Sequence, residues 1–251
     1  MIDLSVRSTV EEELDGPHVA YDTYQRCMRE LDVINRITFT HQPTLRWLSK
    51  ATRGLPSCAE LSILDVGYGN GDLLRAIEDW AAKRQLRVAL CGIDINSRSA
   101  AAAQAASRGR AISYLVGDVF EFQPAEPFDF VVSSQLTHHL DDDQLLDFLS
   151  WIDANSRCGW HIADLHRSRI AYYGFQALAR TMRWHRITRE DGLISVARSF
   201  RRDEWHNNLA RAGMTATVKW HIGFRYTVSR TKNDPAQPRD RHQTEKQLRS
   251  T

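Results

Sequence analysis

The sequence lacks the features that mark secreted, zinc-knuckle and membrane proteins. Its 251 residues include only four cysteines (Cys27, Cys58, Cys91 and Cys158), and none of these has the short spacing to another that a zinc site requires. Such scattered cysteines are typical of buried thiols, so we assign them no chemistry. No apolar run reaches the roughly 18 residues that a membrane helix needs, and the start of the chain is acidic, unlike a signal peptide. We therefore expect a cytoplasmic protein without a membrane span.

A large excess of charge of one sign is also missing. The formal net charge is +2 at pH 7, which is too small to indicate a nucleic-acid partner. The segment 231–251 is polar, contains two prolines and has no apolar periodicity, so it predicts a disordered tail. The remaining chain, in a sequence that is 42% hydrophobic, can bury one sizeable core. We expect a monomer or a homodimer.

A glycine-rich turn between a strand and a helix is the most informative feature of the sequence. An apolar strand over 62–66 leads into Gly67, Gly69 and Gly71, and a helical pattern begins at Asp72. Glycines accept positive φ and leave room for a ligand against the amides at the helix start. Asp72 stands where the dinucleotide fingerprint Gly-x-Gly-x-x-Gly has its third glycine, so NAD becomes the second choice of cofactor.

Three more predicted strands carry a polar residue at or just after their carboxyl ends. They are the strand over 86–95 with Asp94, the strand over 111–117 with Asp118, and the strand over 128–133 with Ser134. In a parallel sheet these ends meet at one edge, and a carboxylate after the second strand binds ribose hydroxyls. The sequence therefore predicts a nucleoside-binding edge.

These stretches resemble the four motifs of the class I S-adenosylmethionine-dependent methyltransferases: LDVGYGNGD, GIDI, VGDVFEF and FDFVVSSQLTHHL, in that order within residues 58–165. The resemblance implies S-adenosylmethionine as the cofactor. It also implies a Rossmann-like, doubly wound α/β fold with a seven-stranded sheet of order 3-2-1-4-5-7-6 and helical lid insertions. The domain would span 56–230, with an N-terminal helical lid over 1–55 and a helical insertion at about 166–190.

The same resemblance assigns the cofactor-binding residues. Asp65 and the glycine turn would hold the methionine end, Asp94 the ribose, and Asp118 the adenine amino group. The complete set that it implies is Asp65, Gly67, Tyr68, Gly69, Gly71, Asp94, Ile95, Asp118, Val119 and Ser134.

Two helical segments outside the core sheet are expected to form the substrate pocket. The first is N-terminal, with helices over 21–39 and 43–52, and the second is an aromatic helix over 168–186. The second follows the fifth strand and should lie over the carboxyl edge of the sheet. We predict that its large side chains line an apolar pocket: Tyr172, Tyr173, Phe175, Met182 and Trp184. The alternative is that they pack this segment against the body of the domain.

A second resemblance concerns the acceptor. Ile34-Asn-Arg, Asp164-Leu-His-Arg-Ser-Arg and the stretch 191–200 look like a bacterial methyltransferase subgroup that is associated with type III polyketide synthases. That subgroup O-methylates phenolic or quinone lipids, which implies a small hydrophobic aromatic acceptor. C- or N-methylation of another metabolite and a non-catalytic regulatory role stay open. Strand four ends in serines and only Asp164 follows strand five, so we expect no metal of the kind that catechol methyltransferases bind.

Three histidines at the predicted active edge are candidates for a general base. A phenol with a pKa near 10 is about three units from ionised at neutral pH, and histidine suits its deprotonation. His138 and His139 follow the fourth strand and are the first choices, and His166 after the fifth strand comes next. The alternative is that one of the adjacent histidines packs or caps the helix beginning near Asp141.

Overall fold

The computed structural model describes residues 2–232. Its strands are β1 (Glu60–Val66), β2 (Arg87–Asp94), β3 (Ile112–Val116), β4 (Phe128–Ser134), β5 (Ser156–Leu165), β6 (Thr217–His221) and β7 (Arg225–Thr231). Its helices are α1 (Tyr21–Ile37), α2 (Gln42–Ala51), α3 (Asp72–Lys83), α4 (Ser97–Ala106), α5 (Asp142–Ala154), α6 (Arg169–Thr181), α7 (Arg186–Arg198) and α8 (Arg202–Arg211). Short 3₁₀ turns cover Glu13–Asp15 and Thr137–His139.

One seven-stranded sheet organises the chain, in the order β3-β2-β1-β4-β5-β7-β6. The five strands from β3 to β5 are parallel, and β7 is antiparallel to both of its neighbours. This confirms the predicted α/β fold and strand order. The order reverses between β1 and β4, and in doubly wound sheets ligands bind outside the carboxyl ends of the strands at such a point.

The central strands are apolar on both faces because helices cover both faces of the sheet. Ile63 and Leu64 are neighbours on β1, so they point to opposite sides and belong to different core clusters. Leu64 packs in the layer of α5 and α8, which contains Phe148 and Trp205. Ile63 packs in the layer of α2 and α3, which contains Leu74. This double burial fixes the register of β1 and therefore the position of the glycine turn that follows it.

The insertion after β5 forms two helices where the sequence predicted one over 168–186. Helix α6 ends at Thr181, the left-handed φ of 53° at Arg183 turns the chain, and α7 begins at Arg186. Helix α7 has no apolar stripe, since its buried side includes Thr188, Asp191 and Ser195. Apolar periodicity does not reveal such a helix.

The C-terminal end of the described chain lies on the sheet. Thr231 is the last residue of β7, and the backbone N–H of Lys232 donates to the Cys158 carbonyl at 2.8 Å. The rest of the predicted tail, 233–251, lies outside the described residues. Within 2–232, no helix has both the length and the apolar character that crossing a membrane requires.

Candidate functional site

A cavity of about 820 Å³ opens at the carboxyl ends of β1, β2 and β4, beneath helix α1. The glycine turn, the loop after β2 and the ends of β3 and β4 form its floor, and α1 with the residues before it forms its roof. It therefore lies where the reversal of strand order predicts a ligand site.

The three glycines of the turn are all left-handed, but they serve different purposes. Their φ angles are 75° at Gly67, 52° at Gly69 and 72° at Gly71. A Cβ on Gly71 would clash with the Tyr114 ring, whereas a Cβ on Gly69 would meet no atom within 4 Å. Gly71 is thus needed for packing, and Gly69 keeps the cavity floor open to a ligand.

Acidic side chains surround the turn. The Asp94 carboxylate accepts hydrogen bonds from the backbone N–H groups of Gly69 and Asn96, both at 2.8 Å. Asp65 is fully buried, and burial together with the Asp72 and Asp94 carboxylates raises its pKa well above the ordinary range. Its Oδ1 has no hydrogen-bond partner within the described chain. Asp65 lies behind the turn and not on the cavity wall.

Helix α1 contributes one face to the cavity. Its lining residues share one side of the helix, because the later four follow the first by four, seven, eight and eleven positions; they are Tyr24, Met28, Leu31, Asp32 and Asn35. Asn35 donates to the Asp72 carboxylate at 2.8 Å, and Asp32 accepts from the Asn70 amide at 2.8 Å. These contacts join α1 to the glycine turn. The sequence-based prediction assigned neither polar residue to the site, although Asn35 belongs to the Ile34-Asn-Arg motif and Asp32 lies three residues before it, beside an apolar stripe.

Eight of the ten predicted cofactor-binding residues line the cavity, and Asp65 and Gly71 do not. The eight are Gly67, Tyr68, Gly69, Asp94, Ile95, Asp118, Val119 and Ser134. The Ser134 hydroxyl is buried without a hydrogen-bond partner among the described residues.

His138 is a buried residue of the turn after β4 and is held between two carboxylates. Its Nδ1 is 2.8 Å from Asp164 Oδ1, and its Nε2 is 3.3 Å from Glu12 Oε1. Burial lowers the pKa of His138, but the two carboxylates outweigh that effect and raise the pKa to about 10. At neutral pH both ring nitrogens therefore carry a proton, and neither is free to accept a proton from an acceptor hydroxyl.

His139 also lines the cavity, with 29% of its side chain exposed. Its Nδ1 is 3.2 Å from Asp15 Oδ2, and its Nε2 is 3.8 Å from Glu12 Oε1. His166 is not on the cavity wall, and its ring packs edge-on against Tyr226. Of the three predicted bases, the structure brings the adjacent pair to the cavity and leaves His166 outside.

The predicted aromatic pocket wall differs most from the structure. None of Tyr172, Tyr173, Phe175, Met182 and Trp184 lines the cavity. Phe175 stacks on Trp184 in a cluster that also contains Ile34, a residue of α1 that does not line the cavity. Tyr173 and Met182 are each 45% exposed. The cavity is covered instead by α1 and by part of the segment 4–19, which we call the N-terminal strap and which contributes Glu12, Leu14, Asp15 and Pro17 to the cavity wall.

Helix α7 holds the middle of the N-terminal strap. The Asp191 carboxylate accepts the backbone N–H groups of Glu13 at 3.0 Å and Leu14 at 2.8 Å. The Ser195 hydroxyl donates to Glu12 Oε1 at 2.7 Å. Arg98 at the start of α4 donates to the carbonyls of residues 14, 15, 16 and 19. The buried polar side of α7 is therefore a docking surface for the strap.

Arginines connect the strap to the turn that carries the histidines. Arg198 donates to the carbonyls of His138 at 2.9 Å and His139 at 3.0 Å, and to the strap carbonyl of Val10 at 2.8 Å. Arg7 donates to the Leu140 carbonyl at 2.7 Å. The position of the histidines and the closure of the strap thus depend on the same side chains.

Comparison with known proteins relates this architecture to methyltransferases. A family model described as a methyltransferase domain matches residues 63–157, which run from β1 into β5. No curated protein sequence matches the chain. The chain shares its fold with the plantazolicin methyltransferase BpumL, crystallised with a pentazolic desmethylPZN analog and SAH (TM-score 0.58, 14% identity, 87% of this chain and 88% of that one).

Two further solved structures show the same fold. They are the magnesium protoporphyrin IX methyltransferase of Synechocystis PCC 6803 with bound SAM (TM-score 0.52, 13% identity, 88% of both chains), and a SAM-dependent methyltransferase from Aquifex aeolicus (TM-score 0.55, 17% identity, 82% of this chain and 96% of that one). At these identities the comparison establishes the class I methyltransferase fold.

Proposed function

We propose that the protein transfers a methyl group from S-adenosylmethionine to an oxygen of a small hydrophobic aromatic molecule, such as a phenol, a quinol or a polyketide-derived acceptor. One observation carries the proposal. The open glycine turn at the sheet reversal and the histidine pair share a single cavity, so a cofactor on the turn would present its reactive end to an acceptor beside the histidines. The methyltransferase family model over residues 63–157 and the methyltransferases of the same fold support it.

The polar groups of the cavity floor fit S-adenosylmethionine better than NAD. Gly69 leaves the floor open, Asp94 lies where a ribose acceptor is needed, and Asp118 follows β3, on the side of the cavity that the resemblance assigns to the base. Asp72 at the start of α3 would repel the pyrophosphate of a dinucleotide, because that group binds at this helix start. Asp32 beside it adds a second carboxylate and, with Asp72, favours a cation.

When bound, S-adenosylmethionine supplies a methyl group that is already activated by its positively charged sulfur. The protein has to hold the acceptor in line and exclude water. Positioning of this kind contributes roughly 7–11 kcal/mol to lowering a barrier. The N-terminal strap and α1 close the cavity, and Glu12, His138 and His139 face the space left for the acceptor oxygen.

The composition of the roof supports an apolar acceptor. Tyr24, Met28 and Leu31 from α1 face Leu140 and Phe148 across the cavity. The cavity of about 820 Å³ has to contain both the cofactor and the acceptor, and it falls within the range of small-molecule sites. The acceptor is therefore small, or it extends out past the strap.

The proposal is tested by incubating the full chain with S-adenosylmethionine labelled on its methyl group and a panel of alkylresorcinols, quinols and simple phenols. We expect label on an oxygen of at least one panel member, identified by mass spectrometry. Label on a carbon or nitrogen atom would refute O-methylation and would identify the protein as a C- or N-methyltransferase. Tight cofactor binding with no methylation of any small molecule would favour a regulatory protein.

A further inference from the structure

We propose that Glu12, His138 and His139 form a binding site for one divalent transition-metal ion such as Zn²⁺, with an open coordination position that faces the cavity. The three side chains come from the strap and from the turn after β4, which are far apart in the sequence. Their candidate ligand atoms all lie within 4.8 Å of one another.

The distances between these atoms fit coordination of a single ion. Glu12 Oε1 is 3.3 Å from His138 Nε2 and 3.8 Å from His139 Nε2. A tetrahedral zinc ion with bonds of about 2.0–2.2 Å separates neighbouring ligand atoms by roughly 3.3–3.6 Å. Small movements of the partly exposed His139 ring are sufficient to complete this geometry.

Both rings are oriented as metal-binding histidines are. The Nδ1 atom of His138 is 2.8 Å from Asp164 Oδ1, and that of His139 is 3.2 Å from Asp15 Oδ2. A carboxylate on one ring nitrogen fixes the tautomer and directs the lone pair of the other nitrogen at the metal. In both rings that other nitrogen, Nε2, points to Glu12.

The surroundings of Glu12 require a positive charge. Its carboxylate has an exposed fraction of only 11% and faces two ring nitrogens. In the metal-free chain the protonated His138 ring supplies this charge, and an ion bound at Nε2 would take the place of the proton there. Two imidazoles and one carboxylate suit Zn²⁺, Fe²⁺ or Co²⁺ better than Mg²⁺, which prefers oxygen ligands.

The open position gives the ion a role at the site. The three residues line the cavity, so a bound ion would take an acceptor oxygen as a further ligand and lower the pKa of its hydroxyl. This role rests on the proposed function, whereas binding of the ion does not. Without a metal, His139 keeps the role of candidate base that the sequence predicts.

The full chain, freed of metals by a chelator and dialysed, is titrated with Co²⁺ alone and followed by its visible absorption. We expect one ion per chain and displacement by Zn²⁺. Glu12→Gln and His139→Ala should each weaken binding at least tenfold, because loss of even an outer-shell partner costs about 10- to 100-fold. Glu13→Gln and His206→Ala are matched controls, since Glu13 pairs with Arg186 and His206 is exposed on α8.

The melting temperature of each variant shows whether it folds. Absence of Co²⁺ binding by the folded wild-type chain would overturn the site, and so would unchanged binding by both folded site variants. Methyl transfer by the metal-free chain at the full rate would overturn the role given to the ion and would leave the proposed methyltransferase activity standing. A chain that binds Co²⁺ as expected but methylates no acceptor would refute the proposed function alone.

Discussion

At the scale of single residues, Gly69 gives the clearest test of cofactor binding. Gly69→Val should weaken S-adenosylmethionine binding more than tenfold, because its side chain would occupy the open cavity floor. Gly213→Val is a matched control, since Gly213 is also left-handed with open space around its Cβ position but lies outside the cavity. Both variants carry a similar strain of about 1–3 kcal/mol. Equal affinities by calorimetry, or tighter binding of NAD, would contradict the cofactor assignment.

His139 is the residue whose loss should affect chemistry most without affecting the cofactor. We expect His139→Ala to lower kcat by roughly two to four orders of magnitude. The loss should shrink for phenols of lower pKa, because these arrive already ionised. His206→Ala should keep the wild-type rate. A uniform loss across the phenol series would show that His139 only positions the acceptor.

His161 should make stability depend on pH. The ring is fully buried against Trp47, both nitrogens lack hydrogen-bond partners within the described chain, and burial lowers its pKa to about 3. Between pH 6.5 and 3 the unfolded chain therefore binds a proton that the folded chain excludes, so stability falls as the pH falls, by about 1.4 kcal/mol per pH unit at most.

Replacing His161 with Phe keeps a ring against Trp47 and removes the titration. Denaturant unfolding of wild type should show roughly 2–3 kcal/mol more loss between pH 6.5 and 4.5 than His161→Phe shows. The exposed His206→Phe should keep the wild-type slope. Parallel slopes in wild type and His161→Phe would mean that His161 is protonated in the folded chain.

The residues of the cavity floor could be predicted because they belong to local motifs. Gly69, Asp94 and Asp118 follow strands whose carboxyl ends meet at one edge, and strand patterns are readable in the sequence. Glu12 was not predictable in this way. It reaches the site from a segment whose path over the sheet depends on packing, which a linear pattern does not contain.

At the scale of elements, α7 controls the N-terminal strap. Asp191→Ala removes the acceptor of two strap N–H groups, and a lost cap of this kind costs about 0.5–2 kcal/mol. We expect faster hydrogen exchange over residues 8–16 with little change in the β-sheet. Glu190→Ala removes a surface partner of Arg186 and should have a smaller effect. Unchanged exchange in Asp191→Ala would mean that Arg98 and Arg198 are sufficient to hold the strap.

The helices outside the core sheet show which features an apolar sequence pattern can predict. Helix α1 was predictable because its apolar face repeats every three or four residues. Helix α7 was not, since it buries polar side chains that serve the strap, and these interrupt the repeat. The aromatic content of α6 indicated a pocket, but Tyr173 is exposed and Phe175 packs in a cluster with Ile34 of α1. Composition shows that a helix has apolar side chains to bury, but it does not show which surface they contact.

At the scale of the whole molecule, the resemblance of the four motifs to methyltransferases implied the sheet order, while the segments that cover the site were not predicted. The cavity is closed from the N-terminal side, so under the proposed function the acceptor would lie between the sheet edge and the apolar face of α1. The wall around the acceptor is assembled from several elements. A preference for a hydrophobic acceptor therefore depends on the whole fold and not on one helix.

Acceptor chain length should therefore control apparent affinity until the cavity is full. Each buried CH₂ contributes about 0.8 kcal/mol, which is roughly a fourfold decrease in KM per carbon. We expect KM for a series of alkylresorcinols to fall in this way and then to level off, because the cavity of about 820 Å³ also holds the cofactor. Met28→Ala should raise KM for the longer acceptors more than for the shortest, while Met182→Ala, which removes an exposed side chain outside the cavity, should change neither. If KM does not depend on chain length, the acceptor binds outside the roof formed by α1, and the strap closes over the cofactor alone.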